Sequence, residues 1–99
     1  MNTRTTLAGA IAECRLVEFT YNGGTRVVEP HMLAFNEAGH VVLSGWFVRG
    51  YSKRGGNGWR EYLLSGISLP TVLNETFDEP RQGYNPEPND KFPHVIARV

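Results

Sequence analysis

Two tight-turn signals constrain the fold of this chain more than any other feature, and the first follows a stretch of alternating apolar residues. "LVEFTY" places Val17, Phe19 and Tyr21 on one face of a strand, and "NGG" at 22–24 follows at once. Asparagine and glycine tolerate positive φ, so this sequence is typical of a hairpin turn. "NEAG" at 36–39 marks a second turn after the strand "TRVVEPHML". The first half of the chain is therefore predicted to fold as hairpins of short strands.

The rest of the chain continues this pattern, with a helix only at the front. "HVVLSGWFVRGY" predicts a long strand in which Gly45 marks a bulge or sharp bend. A loop at 52–58, the strand "WREYLL" and a last strand at 68–73 follow. Apolar residues recur at helical spacing before the first strand, at Leu7, Ala8, Ile11 and Ala12, with Thr5 or Thr6 as the N-cap. Short strands joined by brief turns favour a small antiparallel barrel or a strongly curled sheet.

The chain is long enough for one domain with a single modest core, since it has 99 residues. We place the β-rich domain at 1–77. Residues 78–99 begin with "DEPRQGYNPEPND", which is polar and holds three prolines, so we expect an extended C-terminal tail. "FPHVIARV" restores apolar residues, and we predict that 92–99 dock back onto the domain.

Charge and cysteine usage narrow the classes of function. The formal net charge is zero, so the molecule as a whole has no long-range attraction to nucleic acid or membrane. Cys14 is the only cysteine, which excludes an intramolecular disulfide and is typical of a reducing compartment. The N-terminus does not read as a signal peptide, and no apolar stretch is long enough to span a bilayer. We therefore predict a soluble cytoplasmic protein without a membrane partner.

Several segments together resemble one family. A front helix ending near "IAECRLVEFTY", a turn, then "RVVEPH" at 26–31, and finally "WREYLLSGIS" are similar to the WYL domain over roughly residues 7–77. The match is sharpest in "RVVEPH", where a basic residue is followed shortly by proline. The chain departs from the family at Val41, Val42 and Leu43, where only the leucine of the naming motif is kept. The stretch "YLLSGI" also lacks the charged residues of the family pattern.

The resemblance implies a fold and a role. WYL domains are SH3-like, Sm-like β-barrels thought to bind nucleic acids or small anions, often as sensors in bacterial transcription regulators. It therefore implies a mainly β protein, an SH3-like barrel with one N-terminal helix, in a bacterial cytoplasm. It also implies a ligand-contacting role for Arg26. His31 shares the "RVVEPH" segment, although period-two alternation places Arg26 and His31 on opposite faces unless Pro30 introduces a bulge.

The stretch "GYSKRGGNGWREY" is the strongest candidate binding site. Guanidinium groups hold phosphates, aromatic faces stack on bases, and glycines let the backbone approach a ligand. The alternative is a solvated hairpin loop, with Trp59 packed into the core. The predicted ligand-contacting set is Arg26, His31, Trp46, Arg49, Tyr51, Lys53, Arg54, Trp59 and Arg60.

No catalytic constellation is present in the sequence. The three histidines are scattered, which disfavours a zinc site, and no phosphate loop or serine elbow occurs. We predict no cofactor, no metal and no enzymatic activity. The predicted function is a binding or regulatory module for single-stranded nucleic acid or a nucleotide-like anion. The alternative is a protein-interaction or dimerisation module that uses an open sheet edge and the proline-rich tail, with a protein partner or a homodimer.

Overall fold

The computed structural model describes residues 2–99 and contains one α-helix and six strands. The elements are α1 (Thr3–Ala12), β1 (Arg15–Tyr21), β2 (Gly24–Phe35), β3 (Val41–Gly50), β4 (Gly58–Leu63), a short 3₁₀ turn (Leu64–Gly66), β5 (Ser68–Thr76) and β6 (His94–Arg98). The mainly β class with a single N-terminal helix is confirmed. The helix begins earlier than predicted, because the side chain of Asn2, and not a threonine, caps it by accepting from the amide of Thr5 at 2.8 Å.

The sheet is open, so the prediction of an SH3-like, Sm-like barrel is wrong. The strand order is β4-β3-β2-β1-β5, and β6 pairs with β2 alone. Closure would require β4 and β5 to pair. The Tyr21 hydroxyl instead accepts the Leu63 amide of β4 at 3.1 Å, and the turn at Leu64–Gly66 lies between the two strands. An edge amide that would pair with a strand in a barrel is thus satisfied by a side chain.

One face of the sheet packs against α1 and forms the main core. Leu7 and Ile11 of the helix are buried against Val17 and Phe19 of β1. The Phe19 ring meets the edge of the Tyr62 ring at 5.0 Å. Packing of this face holds the helix, since it is short and contains Gly9.

A bulge in β2 changes which of its residues lie on the other face of the sheet. Pro30 pairs with Gly45 and Met32 pairs with Ser44, so His31 is the extra residue. The bulge therefore falls on β2 and not at Gly45 itself. Gly45 is needed there because a Cβ would lie 2.4 Å from Val28 and 2.8 Å from the Glu29 carbonyl oxygen.

Residues 77–92, which we call the strap, cover this second face. The strap has no helix or strand of its own and joins β5 to β6. It is anchored at its end by Phe92, which is buried with Met32, Ala34 and Val42. β6 then pairs with the second half of β2, from Met32 to Phe35. Within residues 2–99, no helix is long and apolar enough to cross a membrane.

Candidate functional site

The strap lies on a row of three side chains that the strand register brings together. Glu29 of β2 is opposite Trp46 of β3, and Trp46 is opposite Trp59 of β4. Cross-strand partners project from the same face of a sheet. The two indole rings meet edge to face at 5.8 Å. The result is a buried carboxylate beside two tryptophans, at the centre of the face that the strap covers.

Arg81 of the strap is bound to this row. Its Nε and Nη2 each donate to one oxygen of the Glu29 carboxylate at 2.8 Å, and its guanidinium carbon lies 5.1 Å from the centre of the Trp46 ring. Glu29 is only 5% exposed, so the pair supplies the counter-charge for a buried carboxylate. These hydrogen bonds raise the pKa of the Arg81 guanidinium above its ordinary value.

His31 fixes the strap from below. Its Nδ1 lies 2.8 Å from the carbonyl oxygen of Glu29, and its Nε2 accepts the backbone amide of Arg81 at 3.1 Å. A carbonyl only accepts and an amide only donates, so these partners require the neutral ring with its proton on Nδ1. Burial lowers the pKa of His31 below its ordinary value. The ring stacks on Phe77 at 5.0 Å and is buried completely. His31 therefore holds structure and is not open to a ligand.

An open groove of about 590 Å³ lies between the strap and β4. Its floor is a second cross-strand row, Met32, Ser44 and Glu61. Trp59 and Tyr84 of the strap both line the groove, and their rings stack nearly parallel with 6.1 Å between their centres. This volume falls in the range of small-molecule sites in proteins.

Three cationic side chains line the groove, and they differ in how many of their hydrogen-bond donors are already used. Arg60 donates to the carbonyl oxygens of Trp59, Gly55 and Gly56, so it organises the loop between β3 and β4. Lys91 forms an ion pair with Glu61. Arg54 forms no ion pair and no hydrogen bond with any side chain or carbonyl in the described residues 2–99. Arg54 is therefore the cation with the most capacity for an incoming anion.

No family model, curated protein or solved structure matches this chain. The similarity to the WYL domain rests on the quoted residues alone, and the candidate site rests on its own geometry.

Arg26 and Tyr51 lie away from the groove, on the helix side of the sheet. The Arg26 guanidinium is 5.3 Å from the ring centres of Tyr21 and Tyr51 and 5.7 Å from that of Tyr62, and its Nη2 donates to the Tyr21 carbonyl. Burial raises the pKa of the Tyr62 hydroxyl, and Arg26 partly opposes that rise. Gly24 fits under Tyr51, since a Cβ there would lie 2.5 Å from the ring. The guanidinium group of Arg26 therefore packs against three tyrosine rings.

The remaining predicted residues do not join the groove. Arg49 pairs through two hydrogen bonds with Glu75, which joins β3 to β5, and these bonds lower the pKa of Glu75. Lys53 is exposed in the loop and does not line the groove. The structure thus brings together Arg54, Trp59 and Arg60 from the predicted set. It places Trp46 and His31 under the strap.

The sequence interpretation missed the contribution of the strap. Tyr84, Asn85, Asn89 and Lys91 all line the groove, although they belong to the segment interpreted as a polar tail. The available signal was "RQGY", an arginine and an aromatic residue around a glycine within a polar run. No group of three or more His, Cys, Asp or Glu side chains in residues 2–99 is arranged to hold a metal ion.

Proposed function

We propose that this protein is a non-enzymatic binding module whose groove takes a nucleotide-like anion or a short single-stranded nucleic acid. The observation that carries the proposal is the meeting of Arg54, Trp59 and Tyr84 around one open groove. Arg54 supplies charge for a phosphate, and the two aromatic side chains supply surface for a base. The resemblance to WYL domains, with their nucleic-acid or anion ligands, favours the same class of ligand.

The polar groups of the groove suit binding better than group transfer. Glu61 is neutralised by Lys91, and the Asn89 side-chain oxygen accepts the amides of Lys91 and Phe92. Arg60 is held by loop carbonyls. These groups shape the walls, while Arg54 and the aromatic rings meet the ligand. Such a site recognises a charged group and a flat ring. This recognition needs no nucleophile.

The test is a titration with short single-stranded DNA and RNA at low and moderate salt, followed by tryptophan fluorescence and amide NMR shifts. We expect the logarithm of the affinity to fall linearly with the logarithm of salt, by about 0.7 for each phosphate neutralised. Arg54→Ala should weaken binding about tenfold and reduce this slope by about one phosphate.

Lys53→Ala is the matched control. Lys53 precedes Arg54 in the same loop and carries the same charge, yet it lies outside the groove. If both changes weaken binding equally, the loop acts only through its general positive charge. Unchanged NMR spectra at low salt would remove the binding function from the groove.

The second candidate is a protein-interaction or dimerisation module, favoured by the open sheet. β4 and β5 are edge strands, and Leu69 of β5 is 79% exposed. Two register shifts against β1 and the missing amide of Pro70 interrupt β5, and such features protect that edge from pairing. The regular edge of β4 therefore supports this candidate. Sedimentation over a range of concentrations tests this candidate, and a constant monomer mass would count against homodimerisation.

A further inference from the structure

The turn formed by residues 81–84 is held as a bound peptide would be held. The amide of Tyr84 donates to the Arg81 carbonyl at 3.2 Å, which closes a four-residue turn. Trp59 Nε1 donates to the Gln82 carbonyl at 2.9 Å. The Gln82 contact and the amide contact of Arg81 with His31 involve main-chain atoms of the turn. Specificity therefore falls on the two ends of the turn, Arg81 and Tyr84.

The third position of the turn requires glycine. Gly83 has φ +92, and a Cβ there would lie 3.1 Å from Trp59 Nε1. Tyr84 then lies along Trp59, and its hydroxyl is 3.3 Å from the carbonyl oxygens of His31 and Val99. The face thus favours arginine at the first position of the turn, glycine at the third and an aromatic residue at the fourth. It accepts any residue at the second position.

Glu29 and Trp46 form a recess beneath Arg81, and its shape and charge match a guanidinium group. It offers a carboxylate that is nearly inaccessible to water, with both oxygens directed at the two nitrogens of one planar fork, and the face of Trp46 above them. An ammonium group cannot form this paired contact. Arg81 itself remains 45% exposed and lies on a segment without regular structure. Arg81 is thus the more exposed member of the pair, and Glu29 is the buried one.

We propose that the recess formed by Glu29 and Trp46 is a receptor for an arginine of a partner protein, presented on an Arg-x-Gly-aromatic turn. The protein's own residues 81–84 occupy it in the unbound state. A tethered strap competes at an effective concentration in about the millimolar range. A partner therefore binds by replacing a turn of the same chemistry, and competition from the strap sets the affinity that the partner needs.

The experiment uses the full-length chain and a synthetic nonapeptide with the strap sequence of residues 78–86, DEPRQGYNP. The Arg81→Ala protein lacks the guanidinium that fills the recess, while the contacts of Gln82 and Tyr84 still hold its own turn weakly in place. It should prefer this peptide about tenfold or more over the same peptide with Lys in place of Arg, because the Lys peptide loses a charge-assisted hydrogen bond. The wild-type protein should bind the peptide about tenfold more weakly than Arg81→Ala, because its own strap competes. Adding Glu29→Gln to Arg81→Ala should abolish the preference for arginine.

Binding is followed by calorimetry and by the fluorescence of the two tryptophans. If Arg81→Ala unfolds, the same peptide is scored by the helix and strand signal that it restores in circular dichroism, and Arg81→Lys provides a second, folded variant. Equal affinity for the Arg and Lys peptides, or no binding at about 1 mM, would overturn the proposal. A wild-type dimer that the peptide disperses would assign the recess to the strap of a second copy, and would overturn the assignment to a different partner.

Discussion

The ion pair between Arg81 and Glu29 should respond unequally to the loss of its two members. We compare Arg81→Ala with Glu29→Gln, which keeps the shape of the side chain and removes its charge. The Glu29 side chain is 7% exposed, whereas that of Arg81 is 45% exposed. Water already reaches the guanidinium at this site, whereas the carboxylate is nearly inaccessible to water in the folded protein. The change that leaves the carboxylate alone should therefore cost more stability.

The burial of each partner sets the size of these effects. Removing one partner of a fully buried pair costs about 3–5 kcal/mol. Half of Arg81 is in water, so we expect Arg81→Ala to lower the free energy of unfolding by about 2–3 kcal/mol. Glu29→Gln should cost about 1 kcal/mol, close to the value of an exposed pair. In the double variant no buried charge is left, so its cost should be about 1–2 kcal/mol below the sum of the single changes.

Urea unfolding of the four proteins, followed by circular dichroism and tryptophan fluorescence, measures these values. A domain of this size is stable by about 5–15 kcal/mol, so each variant should remain folded. The reasoning is refuted if Glu29→Gln destabilises as much as Arg81→Ala, or if the two changes are additive. Either result would mean that the Glu29 carboxylate reaches water or another partner when Arg81 is absent.

Three further outcomes follow from the same contacts. Burial lowers the pKa of His31, which lies between Glu29 and Arg81, so the neutral ring stabilises the fold fully above its ordinary pKa of 6.5, and this stability is lost as the pH falls through the lowered pKa. The urea concentration at the unfolding midpoint should therefore decrease as the pH is lowered from 6.5. A His31→Gln protein should lose that pH dependence. Gly45→Ala should destabilise by about 1–3 kcal/mol in thermal unfolding, because its Cβ meets backbone at 2.8 Å, whereas Gly9→Ala, with open space around it, should stabilise by about 0.5–1 kcal/mol. Phe92→Ala should cost about 3 kcal/mol in urea unfolding, and a cost under about 1 kcal/mol would mean that the end of the strap is not anchored.

Local patterns in the sequence were sufficient for the strands and turns of the first half. The turn at 22–24 joins β1 to β2, and Asn22 and Gly23 have the positive φ values that the residue types predict. The front helix was also predicted from periodicity, and the strand after Gly39 from a valine-rich run that follows a turn. These features depend on residues close in the chain, where backbone preferences and alternation of apolar side chains act directly.

The closure of the sheet could not be predicted in the same way. At the edge of β4, the Leu63 amide donates to the hydroxyl of Tyr21, a residue 42 positions away in the chain. The assignment of binding residues failed for a related reason. Arg49 and Arg54 look alike in a basic run, yet Arg49 is paired with Glu75 and Arg54 lines the groove.

The sequence by itself determined that this chain is mainly β with one helix, because alternation and turn chemistry act between neighbouring residues. Only the tertiary structure decided that the polar, proline-containing segment is a strap that forms half of a groove. That outcome depends on the strap burying Glu29 and on Arg81 reaching its carboxylate across 52 positions. The desolvation of a carboxylate is a property of its surroundings in three dimensions, and no local pattern records it.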